Sequence, residues 1–212
     1  MFDEPVPPRL VTGLAKLATA MRSQAWEQAA RRRLTPTQAT ALRLLAARPE
    51  GLRVGELADQ LGVTAQTASD SAAALLRKRL VRKSVDPADR RVTRLHLTEA
   101  GEAEARQVAA WPDALLTALA DLDPDEQRVM MRVVVKLIRG MQERGQMPVA
   151  RVCVTCRFFM PYAHPAPSPP HHCRFVDAAF GDEQLKIDCP DHSAADSATR
   201  ADLWRRFTTR AA

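Results

Sequence analysis

The stretch "VGELADQLGVTAQTASDSAAALLRK", residues 54–78, decides the fold of this chain. Its first part has apolar residues at helical spacing and ends at Gly62, a residue type that commonly terminates helices. Thr64 then suits the N-cap of a second helix, which continues to about Arg79. Two short helices joined by a glycine-marked turn predict a helix-turn-helix, in which the second helix normally enters the major groove of DNA.

The segment that follows, residues 80–98, changes from helical to alternating periodicity. Apolar residues alternate with basic ones in two short runs, which predicts two strands, and "DPAD" at residues 86–89 predicts the turn between them. A basic hairpin directly after a recognition helix is typical of a wing, whose tip can insert arginine into a minor groove.

Further helices are predicted on both sides of this region. Apolar spacing predicts a helix over residues 9–33, and a Thr-Pro start predicts another from Thr35 to about Arg48. Two more, over residues 98–121 and 123–145, follow the wing, and the last carries an apolar stripe that needs a partner. The predicted fold class is mainly α with a small β-hairpin wing (α+β).

The positive charge of the chain is concentrated around the predicted hairpin. The 212 residues carry a formal net charge of +6, and residues 77–94 alone hold eight Lys or Arg against two Asp. A charge run by itself is more often a solvated face. Directly after a helix-turn-helix it favours a polyanionic partner, because neutralising phosphates releases condensed counterions.

The stretch "DPADRRVTRLHLTEAG", residues 86–101, resembles the wing signature of the MarR family of transcriptional regulators. That signature has Asp-x-Arg at the wing, an apolar-polar strand and then Leu-Thr-x-x-Gly. The matching positions are Asp89, Arg91, Leu97, Thr98 and Gly101. The resemblance extends over residues 9–145 and agrees in the order and spacing of several motifs.

This resemblance implies a winged helix-turn-helix protein that forms an intertwined helical homodimer and binds a palindromic operator in double-stranded DNA. It implies a regulator, usually a repressor, that a small-molecule effector or an oxidant releases. By position, Arg91 would be the minor-groove arginine and Asp89 would orient the wing arginines. The predicted DNA-binding residues are Thr64, Gln66, Thr67, Ser69, Asp70, Ser71, Arg77, Lys83, Asp89, Arg90, Arg91 and Arg94.

Two positions depart from the family pattern. Arg79 stands where the family usually has a glycine that closes the recognition helix, so this turn is expected to differ. Asp70 occupies a position that is often basic in the family. We expect Asp70 to pair with a neighbouring arginine, and the alternative is that it accepts a hydrogen bond from a cytosine amine.

All four cysteines lie in the C-terminal part of the chain, with the spacing C-x2-C-x16-C-x15-C. The close pair places two sulfurs on one tight turn, and the distant cysteines can complete the set when the chain folds back. The surrounding segment is rich in proline and too short of periodic apolar residues to form a core unaided. The predicted metal ligands are Cys153, Cys156, Cys173 and Cys189.

The spacing leaves three kinds of centre open. Pro190 follows the last cysteine, as is common at iron–sulfur sites, and the four-cysteine spacing locally resembles that of high-potential iron–sulfur proteins. We therefore favour a [4Fe–4S] cluster over a zinc ion, which is the close alternative, and over a reversible disulfide switch. Flanking histidines are expected outside the ligand set. An iron–sulfur centre would sense redox state, gas or iron supply, whereas zinc would brace the structure.

These patterns predict four parts of the chain: an N-terminal dimerisation helix (1–34), a winged helix-turn-helix DNA-binding domain (35–98), C-terminal dimerisation helices (99–145) and a cysteine-rich metal-binding extension (146–212). No secretory signal and no apolar run of about 18 residues are found, so we expect a cytoplasmic protein without membrane contact. The sequence shows no catalytic motif that would indicate an enzyme. The rival hypothesis is an iron–sulfur electron-transfer protein that uses the winged helix for protein contacts.

Overall fold

The structure is a computed structural model that describes residues 5–86, 89–109, 113–148 and 150–209. The helices are α1 (Val6–Arg31), α2 (Pro36–Ala46), α3 (Val54–Leu61), α4 (Ala65–Arg77), α5 (Glu99–Ala109), α6 (Asp113–Ala120), α7 (Pro124–Glu143) and α8 (Ser197–Thr209). The strands are β1 (Val81–Val85), β2 (Thr93–Leu97), β3 (Phe159–Met160), β4 (His171–Cys173) and β5 (Ala178–Phe180). The chain divides into two compact units, Met1–Ala120 and Asp121–Ala212.

The first unit is built around the helix-turn-helix. Helix α2 packs against α3, α4 and α5, and its start is fixed by Thr35, whose side chain accepts a hydrogen bond from the N–H of Gln38. The core is apolar and continuous. Its most deeply buried large side chains are Leu42, Leu57, Leu75, Leu95 and Val108.

The turn between α3 and α4 has the features that the sequence predicts. Gly62 ends α3 with a φ of 64°, a left-handed conformation that favours glycine. Thr64 is the N-cap of α4, and its hydroxyl accepts a hydrogen bond from the N–H of Thr67 at 3.2 Å. These two residues end one helix and begin the next within a few positions, which orients α4 as the second helix of the motif.

Strands β1 and β2 form the antiparallel hairpin of the wing, with Val81 opposite Leu97 and Val85 opposite Thr93. The predicted mainly α fold with a β-hairpin wing is thereby confirmed. The predicted turn "DPAD" includes Pro87 and Ala88, which lie outside the described residues.

The turn that follows α4 was expected to differ from a glycine-closed turn, but it has the same geometry, because Arg79 itself takes the left-handed conformation that glycine usually supplies, with a φ of 57°. The N–H of Leu80 then reaches back to the carbonyl oxygen of Leu75 at 3.0 Å, and the N–H of Arg79 reaches that of Leu76 at 2.9 Å. This is the hydrogen-bond pattern with which helices commonly end at a glycine. A non-glycine residue holds it here at a cost in backbone strain.

Thr98 and Gly101 join the end of the wing to this turn. The Thr98 hydroxyl donates to the carbonyl oxygen of Arg79 at 2.8 Å and accepts from the N–H of Gly101 at 3.0 Å. A Cβ atom on Gly101 would collide with the carbonyl oxygen of Leu80. The Leu-Thr-x-x-Gly motif therefore has a structural reason: α5 begins in direct contact with the backbone that ends the recognition helix.

Within the helix predicted over residues 98–121, the structure describes α5 and α6, and residues 110–112 lie outside the described residues.

The second unit contains α7, the cysteine-rich segment and α8. Its sheet is antiparallel in the order β3-β4-β5, and two 3₁₀ turns, Cys153–Thr155 and Asp182–Gln184, flank it in sequence. A hydrophobic core unites Val135 of α7 with Val154, Phe159 and Phe207. Helix α7, predicted as a dimerisation helix, thus shares a core with the predicted extension. What each part of the chain does stays a prediction. None of the described helices combines the length and the apolar character needed to cross a bilayer.

Candidate nucleic-acid interface and cysteine cavity

Helix α4 presents a polar, exposed face along its first two turns. Its opposite face is buried in the core through Ala68, Ala72 and Leu75. The predicted groove-facing residues that the structure leaves exposed are Thr64, Gln66, Thr67, Ser69 and Asp70. Their side chains are small or polar, so they suit hydrogen bonding to base edges.

Ser71 departs from this predicted set. Its side chain is only 8% exposed, because it lies beside Ala68 and Ala72 on the inner face of α4. The expectation that Ser71 faces outward is therefore corrected.

Asp70 has a partner other than the expected arginine. Its carboxylate accepts a hydrogen bond from the side-chain amide of Gln66 at 2.9 Å, one turn earlier on the same helix. This contact orders two of the exposed polar side chains relative to each other.

The wing carries exposed cations. Those of the predicted set that are exposed on the wing are Lys83, Arg90 and Arg91, and Arg77, the last residue of α4, is exposed as well. The backbone N–H of Arg91 donates to Asp89 Oδ1 at 2.9 Å, so Asp89 fixes the main chain that carries the arginine. This agrees in kind with the orienting role expected of Asp89, although the contact is to the backbone and not to the guanidinium.

Arg94 differs from the other wing cations because its guanidinium is engaged inside the domain. Its Nε lies 2.6 Å from Oδ2 of Asp86, and this hydrogen bond raises the pKa of Arg94. Arg53 approaches the same carboxylate oxygen at 3.3 Å. The sequence assigned Asp86 to a turn and did not indicate this ion-pair group. An acidic residue among eight cations was the available signal.

The four cysteines line one cavity of about 760 Å³ in the second unit. All four are free thiols. Aromatic and aliphatic side chains supply much of the remaining wall. They include Phe158, Phe159, Phe175, Val176 and Phe180. The structure therefore brings the predicted ligand set together in an apolar pocket, from segments spread over the extension.

Local structure explains how each cysteine reaches this cavity. The 3₁₀ turn holds Cys153 and Cys156 together, with the N–H of Cys156 donating to the carbonyl oxygen of Cys153 at 2.9 Å. Cys173 is the last residue of β4. Cys189 is fixed by its N–H, which donates to the carbonyl oxygen of Arg151 at 3.0 Å.

Cys153 lies in a buried environment that disfavours its thiolate. Burial raises the pKa of its thiol to about 11, and the other three cysteines add to this, although a hydrogen bond from Lys186 acts in the opposite direction. That bond joins the backbone N–H of Lys186 to Cys153 Sγ at 3.2 Å. Binding a metal at this thiol would release its proton.

Among the described residues, no group of three or more His, Cys, Asp or Glu side chains is placed to hold one metal ion. The four cysteines line the cavity without converging on such a point. Whether they hold a zinc ion, a cluster or no metal stays a prediction.

The histidines of this unit have other partners. Both ring nitrogens of His171 are engaged, one by the N–H of Tyr162 at 3.3 Å and the other by Asp182 at 3.1 Å. The His192 ring contacts the Thr155 hydroxyl at 3.0 Å, and burial followed by the charge of Arg151 lowers its pKa. This fits their expected place outside the ligand set.

Sequence reasoning missed Arg132 and Arg139 of α7. Both point toward the second unit's core, where Arg132 bonds Asp182 and Arg139 lies 4.3 Å from the ring centroid of Trp204. The available signal in the sequence was the presence of arginine on a face of α7 that its apolar neighbours predict to be buried.

The model of the MarR family matches residues 34–92 of this chain. Among solved structures, the DNA complex of MepR from S. aureus is similar with a TM-score of 0.54 at 23% identity, over 61% of this chain and 96% of that one. The transcriptional regulator SlyA is similar with a TM-score of 0.56 at 18% identity, over 64% of this chain and 95% of that one. No curated protein matches this chain. The fold is a MarR-type winged helix, and the matched family residues contain the helix-turn-helix and the first strand of the wing.

Proposed function

We propose that this protein is a homodimeric, sequence-specific DNA-binding regulator of transcription, and that its second unit carries a cysteine-ligated metal centre. The observation that carries the first part is the pairing of an exposed polar face on α4 with an exposed basic wing. One offers hydrogen bonds to base edges, and the other offers cations to phosphates and the minor groove. The family match over residues 34–92 supports the same conclusion.

The protein would bind a palindromic operator as a dimer, with one recognition helix in each half-site. The mode of regulation we favour is repression. A small-molecule effector remains an additional regulator to be tested. Selection from random duplex DNA by the full chain tests this part. The expected result is an enriched palindrome, bound with an affinity that falls steeply with salt. Binding to all duplexes with equal affinity would contradict it.

The second part of the proposal concerns the cysteine cavity. Cys153, Cys156, Cys173 and Cys189 would hold a [4Fe–4S] cluster, and a zinc ion is the alternative. The aromatic wall would limit access of water, and the N–H of Lys186 would donate to a ligating sulfur. A bound cluster would supply a one-electron or gas-reactive centre. The protein residues would set its exposure and its potential.

Iron, zinc and acid-labile sulfide per chain, measured on protein purified without oxygen, test this second part. Several iron atoms with matching sulfide identify a cluster and a sensory role. About one zinc identifies a structural brace. If neither iron nor zinc is found, the metal centre is removed from the proposal, whereas the proposed DNA-binding function stands. If iron is present and no operator is found, the rival electron-transfer function gains support.

A further inference from the structure

Helix α7 has two faces that point in opposite directions. The exposed apolar residues are Val129, Val133, Leu137 and Met141, with exposures of 60%, 47%, 49% and 40%. We call them the outer stripe. At about 100° per residue, they lie on average about 160° around the helix from Val135 and Arg139. Those two residues are 0% and 4% exposed, so α7 is buried on one side, whereas the outer stripe is exposed in the part of the chain that the structure describes.

Arg132 attaches the inner face of α7 to three parts of the second unit. Its Nη1 donates to the hydroxyl of Tyr162 at 2.5 Å and to Asp182 Oδ2 at 3.3 Å. Its Nη2 donates to the carbonyl oxygen of Phe207 at 2.8 Å. The side chain is 15% exposed, so these contacts are shielded from water and are costly to break.

Arg139 makes a second attachment, to helix α8. Its guanidinium stacks on Trp204 at 4.3 Å from the ring centroid, and it donates to the carbonyl oxygen of Arg200 at 3.3 Å. Arg132 and Arg139, seven positions apart, therefore fix the direction and the rotation of α7 against the rest of the second unit.

Hydrogen bonds connect Arg132 to segments that carry the cysteines. Asp182 also holds His171, which begins β4, and β4 ends at Cys173. Four residues after Asp182, Lys186 is bonded to Cys153 in both directions, N–H to Sγ at 3.2 Å and carbonyl oxygen to N–H at 3.1 Å. Two segments that line the cysteine cavity thus converge on one arginine of α7.

We propose that α7 transmits the ligation state of the four cysteines to the interface between two copies of this chain. The inference rests on the dimeric regulator proposed above and names how it is regulated. With the cysteines joined by a common centre, Asp182 and His171 hold Arg132, and the outer stripe is presented in a fixed orientation. When the cysteines are no longer joined, β4 and the segment after Asp182 lose their restraint, Arg132 is released, and the dimer weakens.

A second copy of this chain is the occupant that fits the outer stripe. Helix α1 carries a similar exposed stripe, and its residues are Leu10, Leu14, Leu17 and Met21, with exposures of 59%, 49%, 45% and 40%. The described residues therefore include two exposed apolar helix faces, one in each unit. In a two-fold dimer each copy presents the same surfaces to the other, so a second copy can cover the outer stripe with the matching stripe of its own chain.

The test measures dimer dissociation by analytical ultracentrifugation of the full chain, once as purified without oxygen and once after removal of iron and zinc by a chelator. We expect dissociation to become about tenfold easier without metal, a typical coupling between linked sites. An unchanged dissociation constant would overturn the inference. A chain that purifies without iron or zinc, and takes up neither when supplied with ferrous iron and sulfide or with zinc, would overturn it as well.

Variants of Arg132 separate transmission from metal binding. Arg132→Ala should retain the metal content of the wild type but dimerise weakly in both states, with a metal-dependent change below about threefold. Arg132→Lys keeps the charge without the fork of donors, and the same loss is expected from it if the alanine variant does not fold. Arg128→Ala is the matched control on the same helix, because Arg128 is half exposed and pairs with Asp125, one turn earlier on α7. It should respond to metal as the wild type does. A full response in both Arg132 variants would refute the proposed path.

The outer stripe is tested separately. Leu137→Glu should give a monomer that still holds metal, whereas Arg128→Glu should remain dimeric. A Leu137→Glu variant that dimerises normally would overturn the assignment of this surface. DNA binding by the wild type is measured in parallel. If the protein binds an operator but its dimerisation ignores metal, the inference fails and the proposed function stands. If no operator is bound, the proposed function fails while the ultracentrifugation result still decides the inference.

Discussion

Nε of Arg94 lies 2.6 Å from Oδ2 of Asp86 at the base of the wing. Asp86 is 3% exposed, and Arg94 also donates to the carbonyl oxygen of Gly51 at 3.1 Å. A buried carboxylate thus holds the wing to the segment that precedes α3. Arg94 therefore stabilises the fold. Arg91 lies before strand β2, toward the turn of the hairpin, and its side chain is exposed to a partner.

This difference predicts opposite effects of two similar substitutions. Arg91→Ala should weaken operator binding by about 1–3 kcal/mol and reduce the salt slope, because it removes a contact to DNA without disturbing the fold. Arg94→Ala should lower Tm, because it leaves Asp86 buried without its closest partner. Mobility-shift titrations at several salt concentrations, together with thermal unfolding, measure both effects.

Asp86→Asn provides the control for this pair, since it should lower Tm as Arg94→Ala does while leaving every exposed cation in place. Equal losses of operator affinity and unchanged Tm in both arginine variants would show that Arg94 contacts DNA directly and that its pair with Asp86 is incidental.

Arg79→Gly should stabilise the protein. Arg79 holds a φ of 57°, which glycine adopts without the strain that a Cβ atom brings. We expect a gain of about 0.5–1 kcal/mol in the free energy of unfolding, less than the full strain because glycine also gains entropy in the unfolded chain. Denaturant unfolding measures it, and Arg77→Gly, inside α4, is the matched control that should destabilise. A loss of stability in Arg79→Gly would mean that the Arg79 side chain makes a contact of its own.

The winged helix could be predicted from sequence because its signals are local. Gly62, Thr64 and the Leu-Thr-x-x-Gly motif act within a few residues of where they stand, and each has the role in the structure that its residue type favours. Ser71 was misplaced because a small polar residue can face either side of a helix, and burial beside Ala72 depends on packing that the sequence does not display.

Local sequence signals predict less of the second unit than of the winged helix. The convergence of the four cysteines on one cavity was predicted from composition and spacing, on the expectation that a short proline-rich segment forms around a common centre. The structure also gives this unit a hydrophobic core shared with α7, which that expectation did not include. The attachment of α7 to that segment did not follow. Arg132 and Asp182 are 50 residues apart, and nothing local to either predicts the pair. Long-range polar contacts of this kind are set by the tertiary fold.

Gly101→Ala should destabilise the first unit strongly. The new Cβ would collide with the carbonyl oxygen of Leu80, a backbone atom that cannot move without disturbing the end of α4. We expect a loss of about 3 kcal/mol, at the upper end for overpacked sites. Denaturant unfolding measures it, and Gly55→Ala is the control, because a Cβ at Gly55 meets no atom within 4 Å. Similar stabilities of the two variants would contradict the close contact between α5 and this turn.

The second unit should lose stability in acid at Asp182. Burial opposes ionisation of this carboxyl, but the hydrogen bond and charge of His171, with Arg132, outweigh it and lower its pKa below the ordinary value of 3.8. A depressed folded-state pKa gives stability that is present above the unfolded pKa and is lost as pH falls from there through the folded pKa. The protection of amide hydrogens in α8 and β4, measured as exchange relative to the intrinsic rate at each pH, should therefore decrease below about pH 4.

Asp182→Asn removes the group that titrates. It should exchange faster than the wild type at pH 7, because the charge on Arg132 is left without this partner, and it should show a smaller further change in acid. An acid response in Asp182→Asn as large as in the wild type would assign the effect to other carboxyls.

Lys186→Pro should lower the reduction potential of the proposed cluster without changing any of its cysteine ligands. Lys186 contributes a backbone N–H to Cys153 Sγ at 3.2 Å, and proline has no N–H to donate. The preceding residue, Leu185, has φ and ψ of −55° and 129°, which is compatible with a following proline. Donors to a ligating sulfur stabilise the reduced, more electron-rich cluster, so their loss should lower its reduction potential.

Lys186→Ala is the matched variant, because it removes the side-chain charge and retains the N–H. Potentiometric titration of anaerobic protein should give a lower midpoint for Lys186→Pro than for Lys186→Ala, at equal iron content. Equal midpoints in the two variants would attribute any change to the lost charge and not to the hydrogen bond. A difference between them would place Cys153 among the ligands, since a backbone donor 3.2 Å from its sulfur affects the potential only if that sulfur belongs to the redox centre.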